Sequence, residues 1–183
     1  MNPGKKTGEG ATETLSPALP ASIEEAAEDL LRTCCEKKLR IATAESCTGG
    51  LLASLLTDVE GASHAFERGF VVYSKEAKCE LLGLTRACVE TCGAVSRDVA
   101  VAMAEGAIKR SHADIALAVT GYAGEAPEGE EAGLVHLACA VRNGGTIHKA
   151  VHFGDVGRGP IRIGTLGVAL DMMRNVVGKG APE

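Results

Sequence analysis

Residues 39–52 read Leu39-Arg40-Ile41-Ala42-Thr43-Ala44-Glu45-Ser46-Cys47-Thr48-Gly49-Gly50-Leu51-Leu52, a strand, a turn and a helix start in fourteen residues. The largely apolar run over 39–44 predicts a strand. Leu51, Leu52, Leu55, Leu56 and Val59 then follow helical spacing, which predicts a helix over about 49–59. Between the two lie a tight glycine turn and three small nucleophile-capable side chains, Ser46, Cys47 and Thr48. A strand end projects a side chain into a crevice, and the helix after it carries unpaired N–H groups and a positive dipole end. Such parts hold a phosphate or stabilise an oxyanion. The same residue types also build an ordinary βα turn, so the motif alone leaves both readings open.

Working outward, Ile23, Ala26, Ala27, Leu30, Leu31 and Cys34 mark a helix before the strand, with Ser22-Ile23-Glu24-Glu25 as a capping box. Residues 1–21 are rich in Gly, Pro, Thr, Glu and Lys without apolar periodicity, and predict a disordered tail ahead of a domain over 22–178. Downstream, Phe66–Tyr73 predicts a strand, Ser74–Leu82 a helix closed by Gly83, and Ser96 the cap of a helix to about Arg110. Ile115–Val119 is a wholly apolar strand. Asn143-Gly144-Gly145 separates runs over Leu134–Val141 and Ile147–Phe153, a hairpin signal that makes part of the sheet antiparallel. Pro160 can open a last helix with Ile161, Thr165, Val168, Ala169, Met172 and Val176 on one face. The elements predict a single layered α/β/α domain with a mixed sheet.

Composition narrows the function. The 183 residues include no Trp, two Tyr and three Phe, so the core must be aliphatic, as in a largely buried sheet. A net charge of −5 argues against nucleic acid as a partner. No apolar stretch is long enough for a membrane span, and no signal-peptide core opens the chain, so the expected compartment is the cytoplasm. Seven scattered cysteines without a Cys-x-x-Cys pair read as reduced thiols. Cys88 and Cys92 can share a helix face, but two ligands make no zinc site. His148 and His152 lie too far apart along one strand to share a metal, and His64, His112 and His136 add no ligand spacing. No metal or cofactor is expected.

Four blocks carry a resemblance: Ala44–Gly50; Phe66-Glu67-Arg68-Gly69-Phe70-Val71-Val72-Tyr73-Ser74-Lys75-Glu76-Ala77-Lys78 with Leu82-Gly83; Gly93-Ala94-Val95-Ser96; and Ala118-Val119-Thr120-Gly121-Tyr122-Ala123-Gly124. In this order they are similar to the CinA C-terminal-domain family, the nicotinamide-nucleotide amidases, from about Glu24 to Val177. The resemblance implies hydrolysis of the carboxamide of nicotinamide mononucleotide by a serine nucleophile with a lysine, without a metal. It assigns Ser46 as nucleophile, Lys78 as base and Thr120 to the same catalytic site. Thr48, Gly49, Gly50, Tyr73, Gly121, Arg158 and Arg162 are the expected substrate contacts. It also implies self-association, which edge strands and a hairpin permit.

The chemistry is consistent with this. A serine hydroxyl needs a base within hydrogen-bond reach, and a lysine serves once desolvation or a positive field, such as a helix N-terminus, lowers its pKa. Lys75 rivals Lys78 but reads as a surface charge, and Cys47 rivals Ser46 but lacks a histidine partner. Two departures bear on substrate binding. Where the family carries a Gly-Gly-Thr loop and Lys-Pro-Val-Gly, this chain has the acidic Glu125-Ala126-Pro127-Glu128-Gly129-Glu130-Glu131-Ala132-Gly133. The family's Phe-x-Gly-Asp-Arg-x-x-Ile-Arg stretch is here lengthened by one residue across Phe153–Arg162. A catalytically silent paralogue that binds a nucleotide or a partner protein is the alternative these changes raise.

Overall fold

The structure, a computed structural model, describes residues 19–178. In chain order the elements are α1 (Ala21–Lys37), β1 (Ile41–Glu45), α2 (Leu51–Thr57), β2 (Phe66–Val71), α3 (Lys75–Leu82), α4 (Arg86–Thr91), α5 (Arg97–Lys109), β3 (Ile115–Gly121), β4 (Leu134–Val141), β5 (Thr146–His152) and α6 (Arg158–Gly178). The sheet order is β2-β1-β3-β4-β5. β1 runs parallel to β2 and β3, while β3–β4 and β4–β5 are antiparallel, so the sheet is mixed as the hairpin signal required. Asn143, at φ 60°, makes the left-handed step of that hairpin.

The period-two alternation of the strands sorts the core into unlike layers. Ile41, Ile115, Leu117, Val119, Val135 and Leu137 pack with α1, α2 and α6. The opposite face is almost all alanine: Ala42, Ala44, Ala116, Ala118, Ala138 and Ala140 lie against α3, α4 and α5. α5 answers with Ala100, Ala104 and Ala107, so helix and sheet approach through small side chains, and a larger residue on either surface would push them apart.

Boundaries differ from the sequence reading where local signals compete. α1 begins at Ala21 with Pro20 as N-cap and no side-chain cap, so Ser22 is inside the helix rather than at its cap. The tail expected over 1–21 lies mostly outside the described residues. α4 is an additional helix of 6 residues, too short for a periodicity signal, and Thr85 caps it by accepting from the Cys88 amide at 3.1 Å. β2 stops at Val71, β3 runs on to Gly121, and α6 starts at Arg158, two residues before Pro160. His136 and His148, which sequence spacing left apart, meet across β4 and β5 with Nδ1 and Nε2 3.0 Å apart.

Candidate active site

The three residues that end β1 point in different directions, and that separation builds the site. Glu45 faces the α2 side. Its carboxylate accepts from the amides of Gly50 at 3.1 Å, Leu52 at 3.0 Å and Ala53 at 2.8 Å. Ser46 turns to the alanine face, where α3 lies, and Cys47 returns to the aliphatic core. Gly49 and Gly50, at φ 62° and 90°, complete the turn in a backbone region that disfavours side chains. A Cβ on Gly50 would also stand 3.3 Å from Val71.

α3 brings Lys78 to Ser46. Ser74 caps the helix by accepting from the Ala77 amide at 3.0 Å; Lys75, at its first position, is exposed, and Lys78, one turn on, points inward. Lys78 is 1% exposed, the largest fully buried side chain among the described residues. Its Nζ lies 3.1 Å from Ser46 Oγ and donates to the Val72 carbonyl at 2.9 Å. Burial pushes the lysine below its ordinary value; Cys47 would oppose this only as a thiolate, and burial pushes the Cys47 thiol up to about 11. The amine is therefore the group biased toward its neutral, proton-accepting form, and the neighbouring thiol is held as a thiol.

Thr120 follows Ser46 across the sheet, since Ser46 donates its amide to the Val119 carbonyl at 3.0 Å. The Thr120 hydroxyl is already committed: it donates to the Ala94 carbonyl at 2.7 Å and anchors the 93–96 segment beside the site. Gly121 is required by packing, because a Cβ there would stand 2.8 Å from the Val135 Cα. Tyr73 directly follows the carbonyl that orients Lys78, but its ring is 69% exposed. Arg162 donates from Nη2 to the Thr48 carbonyl, and its Nε, like the Thr48 hydroxyl, is buried with no partner. Arg158 is exposed at the start of α6, and both guanidiniums act on the Cys47 thiol, which places two positive charges at the Ser46–Gly50 turn.

The helix-terminus field expected from the sequence is not what the structure supplies. The N-terminus of α2 does not supply free donors or an uncompensated field, because the Glu45 carboxylate occupies the Gly50, Leu52 and Ala53 amides. The Lys78 shift comes from burial instead. At the turn neither the Cys47 nor the Thr48 amide makes a backbone–backbone bond, and the Cys47 amide lies against its own thiol. Sequence reading missed the Glu45 side chain as a cap because it reaches forward five to eight residues, beyond any local capping pattern. The carbonyls of Val72 and Ala94 were also missed, since backbone partners leave no residue-type signal.

The 122–133 loop starts beside Arg158, whose Nη1 would lie 4.0 Å from a Cβ on Gly124. It returns to the sheet through Gly133, which donates to Tyr122 and accepts from Phe153. Glu125, Glu128, Glu130 and Glu131 are exposed, and Glu131 pairs with His152 at 2.8 Å. A groove of about 860 Å³ between α1 and the 58–62 segment shares no residue with the Ser46 site and carries the acidic Glu24, Glu28, Asp58 and Glu60.

Fold and site together define an α/β protein with a buried serine–lysine pair at the end of a parallel strand. The CinA C-terminal domain model matches residues 23–177, and the chain belongs to that family. It is 50% identical over 128 residues to a CinA-like protein of Chlorobium phaeobacteroides, covering 68% of this chain and 29% of the relative. A CinA-like protein of Geobacter sulfurreducens is 48% identical over 143 residues, 76% of this chain and 34% of the relative. The chain thus spans about a third of the length of these curated relatives. Among solved structures, the competence/damage inducible protein CihA of Agrobacterium tumefaciens superposes with a TM-score of 0.84 at 44% identity, covering 86% of this chain and 97% of that one.

Proposed function

We propose that this domain is an amidohydrolase that converts nicotinamide mononucleotide to nicotinic acid mononucleotide and ammonia. The observation that carries the reading is the 3.1 Å approach of a buried lysine amine to the Ser46 hydroxyl. In the neutral amine, one N–H goes to the Val72 carbonyl and the lone pair is directed at Ser46. Ser46 Oγ attacks the carboxamide carbon and Lys78 takes its proton. The oxyanion that forms is met by the Cys47 and Thr48 amides. Lys78 then returns the proton to the departing nitrogen, ammonia leaves, and water hydrolyses the acyl-serine with Lys78 as base again.

Two arginines at the turn supply a counter-charge for a phosphate, and arginine forks suit that group. The unpartnered Arg162 Nε and Thr48 hydroxyl are free to reach a ligand that enters the crevice. The intact buried pair favours an active enzyme over a silent paralogue. Ammonia release from the purified protein with nicotinamide mononucleotide, nicotinamide riboside and free nicotinamide, side by side, tests the reading. Turnover of the mononucleotide that Ser46→Ala removes is the expected result; no release from any of the three would sink it.

A further inference from the structure

We propose that Glu45 is the positioning residue of the Ser46 nucleophile, its carboxylate locking the turn that aims the hydroxyl at Lys78 and reserving the Cys47 and Thr48 amides for the oxyanion. The inference rests on the serine–lysine reading above. Glu45 is fully buried, and its two oxygens accept from three backbone amides and from the Thr43 hydroxyl, the last at 3.3 Å. Thr43 belongs to β1, Gly50 to the turn, and Leu52 and Ala53 to α2, so one side chain ties strand end to helix start. Residues 46–49 are then a short loop with both ends fixed.

The turn needs this tie. Its own backbone bonds are few: Gly49 donates to the Ser46 carbonyl at 3.1 Å and Leu51 to Thr48 at 3.3 Å. It also contains two consecutive glycines in the left-handed region, the residue type with most freedom to move. A displacement of about 1 Å between reacting groups costs on the order of a hundredfold in rate. Releasing α2 would therefore disturb the serine–lysine approach before it disturbed the core. Release would also free the Gly50, Leu52 and Ala53 amides, an anion site in competition with the intended one.

A carboxylate meets four donors in a way that a carboxamide does not. In Glu45→Gln one oxygen is replaced by an NH2 that opposes at least one donor, at nearly unchanged volume. The readout is labelling by a fluorophosphonate probe, which needs no amidase substrate: Ser46 Oγ bonds to phosphorus, fluoride leaves, and the hydroxyl proton passes to Lys78. We expect Glu45→Gln to label about 100-fold more slowly than wild type at its high-pH plateau, with the pH midpoint unmoved because Lys78 stays buried. Far-ultraviolet circular dichroism should report the same folded fraction. On nicotinamide mononucleotide, kcat should fall by a similar factor with KM little changed. Thr43→Val, which removes one donor and leaves the carboxylate, should label several-fold more slowly, and it serves as the test if Glu45→Gln does not fold. Equal plateaus, or a loss that only tracks the folded fraction, would overturn the inference alone. A wild type that does not label at Ser46 would overturn the serine–lysine reading and the inference with it.

Discussion

Two loops leave neighbouring strands at the same end of the sheet, and they are built on opposite terms. The turn after β1 is buried through Thr48 and is tied to strand and helix by the Glu45 carboxylate and to α6 by Arg162. The loop after β3 carries four exposed glutamates and is held mainly where it rejoins the sheet at Gly133. Changes in the first act on atoms around the Ser46 hydroxyl and its Lys78 partner. Changes in the second act through solvent at a distance. The chain resembles its family's pattern in the first loop and departs from it in the second, so the proposed function assigns chemistry to the one and recognition to the other.

The comparison is sharpest at Ser46. Ser46→Ala should lower kcat by roughly 10⁴-fold or more while KM and melting temperature stay close to wild type, because the lost atom acts mainly in the transition state. Cys47→Ala, one residue on, should keep most of the activity. A dead Cys47→Ala beside an active Ser46→Ala would reverse the assignment.

Lys78→Met should be nearly as damaging, and the Ser46→Ala/Lys78→Met double variant little worse than either single one, as for residues that act as a unit. The lysine also leaves a signature in stability. Its folded pKa lies below the ordinary value of 10.5, so between those two values the unfolded chain binds more protons than the folded one. Wild-type stability should therefore rise with pH through that window, and activity should rise through its lower edge as the amine becomes neutral. Denaturant titrations of Lys78→Met should lack the rise, so the variant compares best with wild type at low pH and loses ground as pH increases. Parallel pH curves for the two proteins would show that Lys78 is not the perturbed group.

Next in size come the arginines that join the two regions. Arg158→Ala should raise KM for the mononucleotide about 10- to 100-fold, the value of a hydrogen bond to a charged group, and leave the phosphate-free riboside unaffected. Arg162→Ala should also depress kcat for both substrates, since Arg162 holds the Thr48 carbonyl as well. Equal responses of the two substrates to Arg158→Ala would exclude a phosphate contact.

How much of this was legible in the chain follows the same divide. Apolar and β-branched runs, with the Asn-Gly turn between the last two, located every strand, β1 and β3 reading as continuous apolar stretches because both of their faces are buried. They also placed Ser46 at a strand end, and the family resemblance added Lys78, which nothing in spacing pairs with a residue 32 positions away. Long reach defeated the rest. The Glu45 side chain caps a helix from outside the local window, and the Val72 carbonyl orients Lys78 without any side-chain signature. His136 and His148 meet only because the hairpin register brings their strands together. α4 was missed because 6 residues make under two turns.

The smallest effect belongs to the acidic loop. Glu125, Glu128, Glu130 and Glu131 are exposed, and the loop begins beside Arg158, the proposed phosphate contact, so their charge is expected to repel an incoming phosphate. Changing all four to Gln should lower KM for the mononucleotide by roughly two- to threefold at low ionic strength. The gain should fade toward 1 M salt, where the Debye length is about 3 Å. The riboside, without a phosphate, should respond little. Because Glu131 also pairs with His152 across the loop, the triple variant that spares Glu131 separates field from tether. If the triple variant keeps most of the KM gain, charge is responsible. A gain confined to the quadruple variant and shared by both substrates would mean that freeing the loop from β5 acts through shape, and the division between a buried chemical loop and an electrostatic recognition loop would fail.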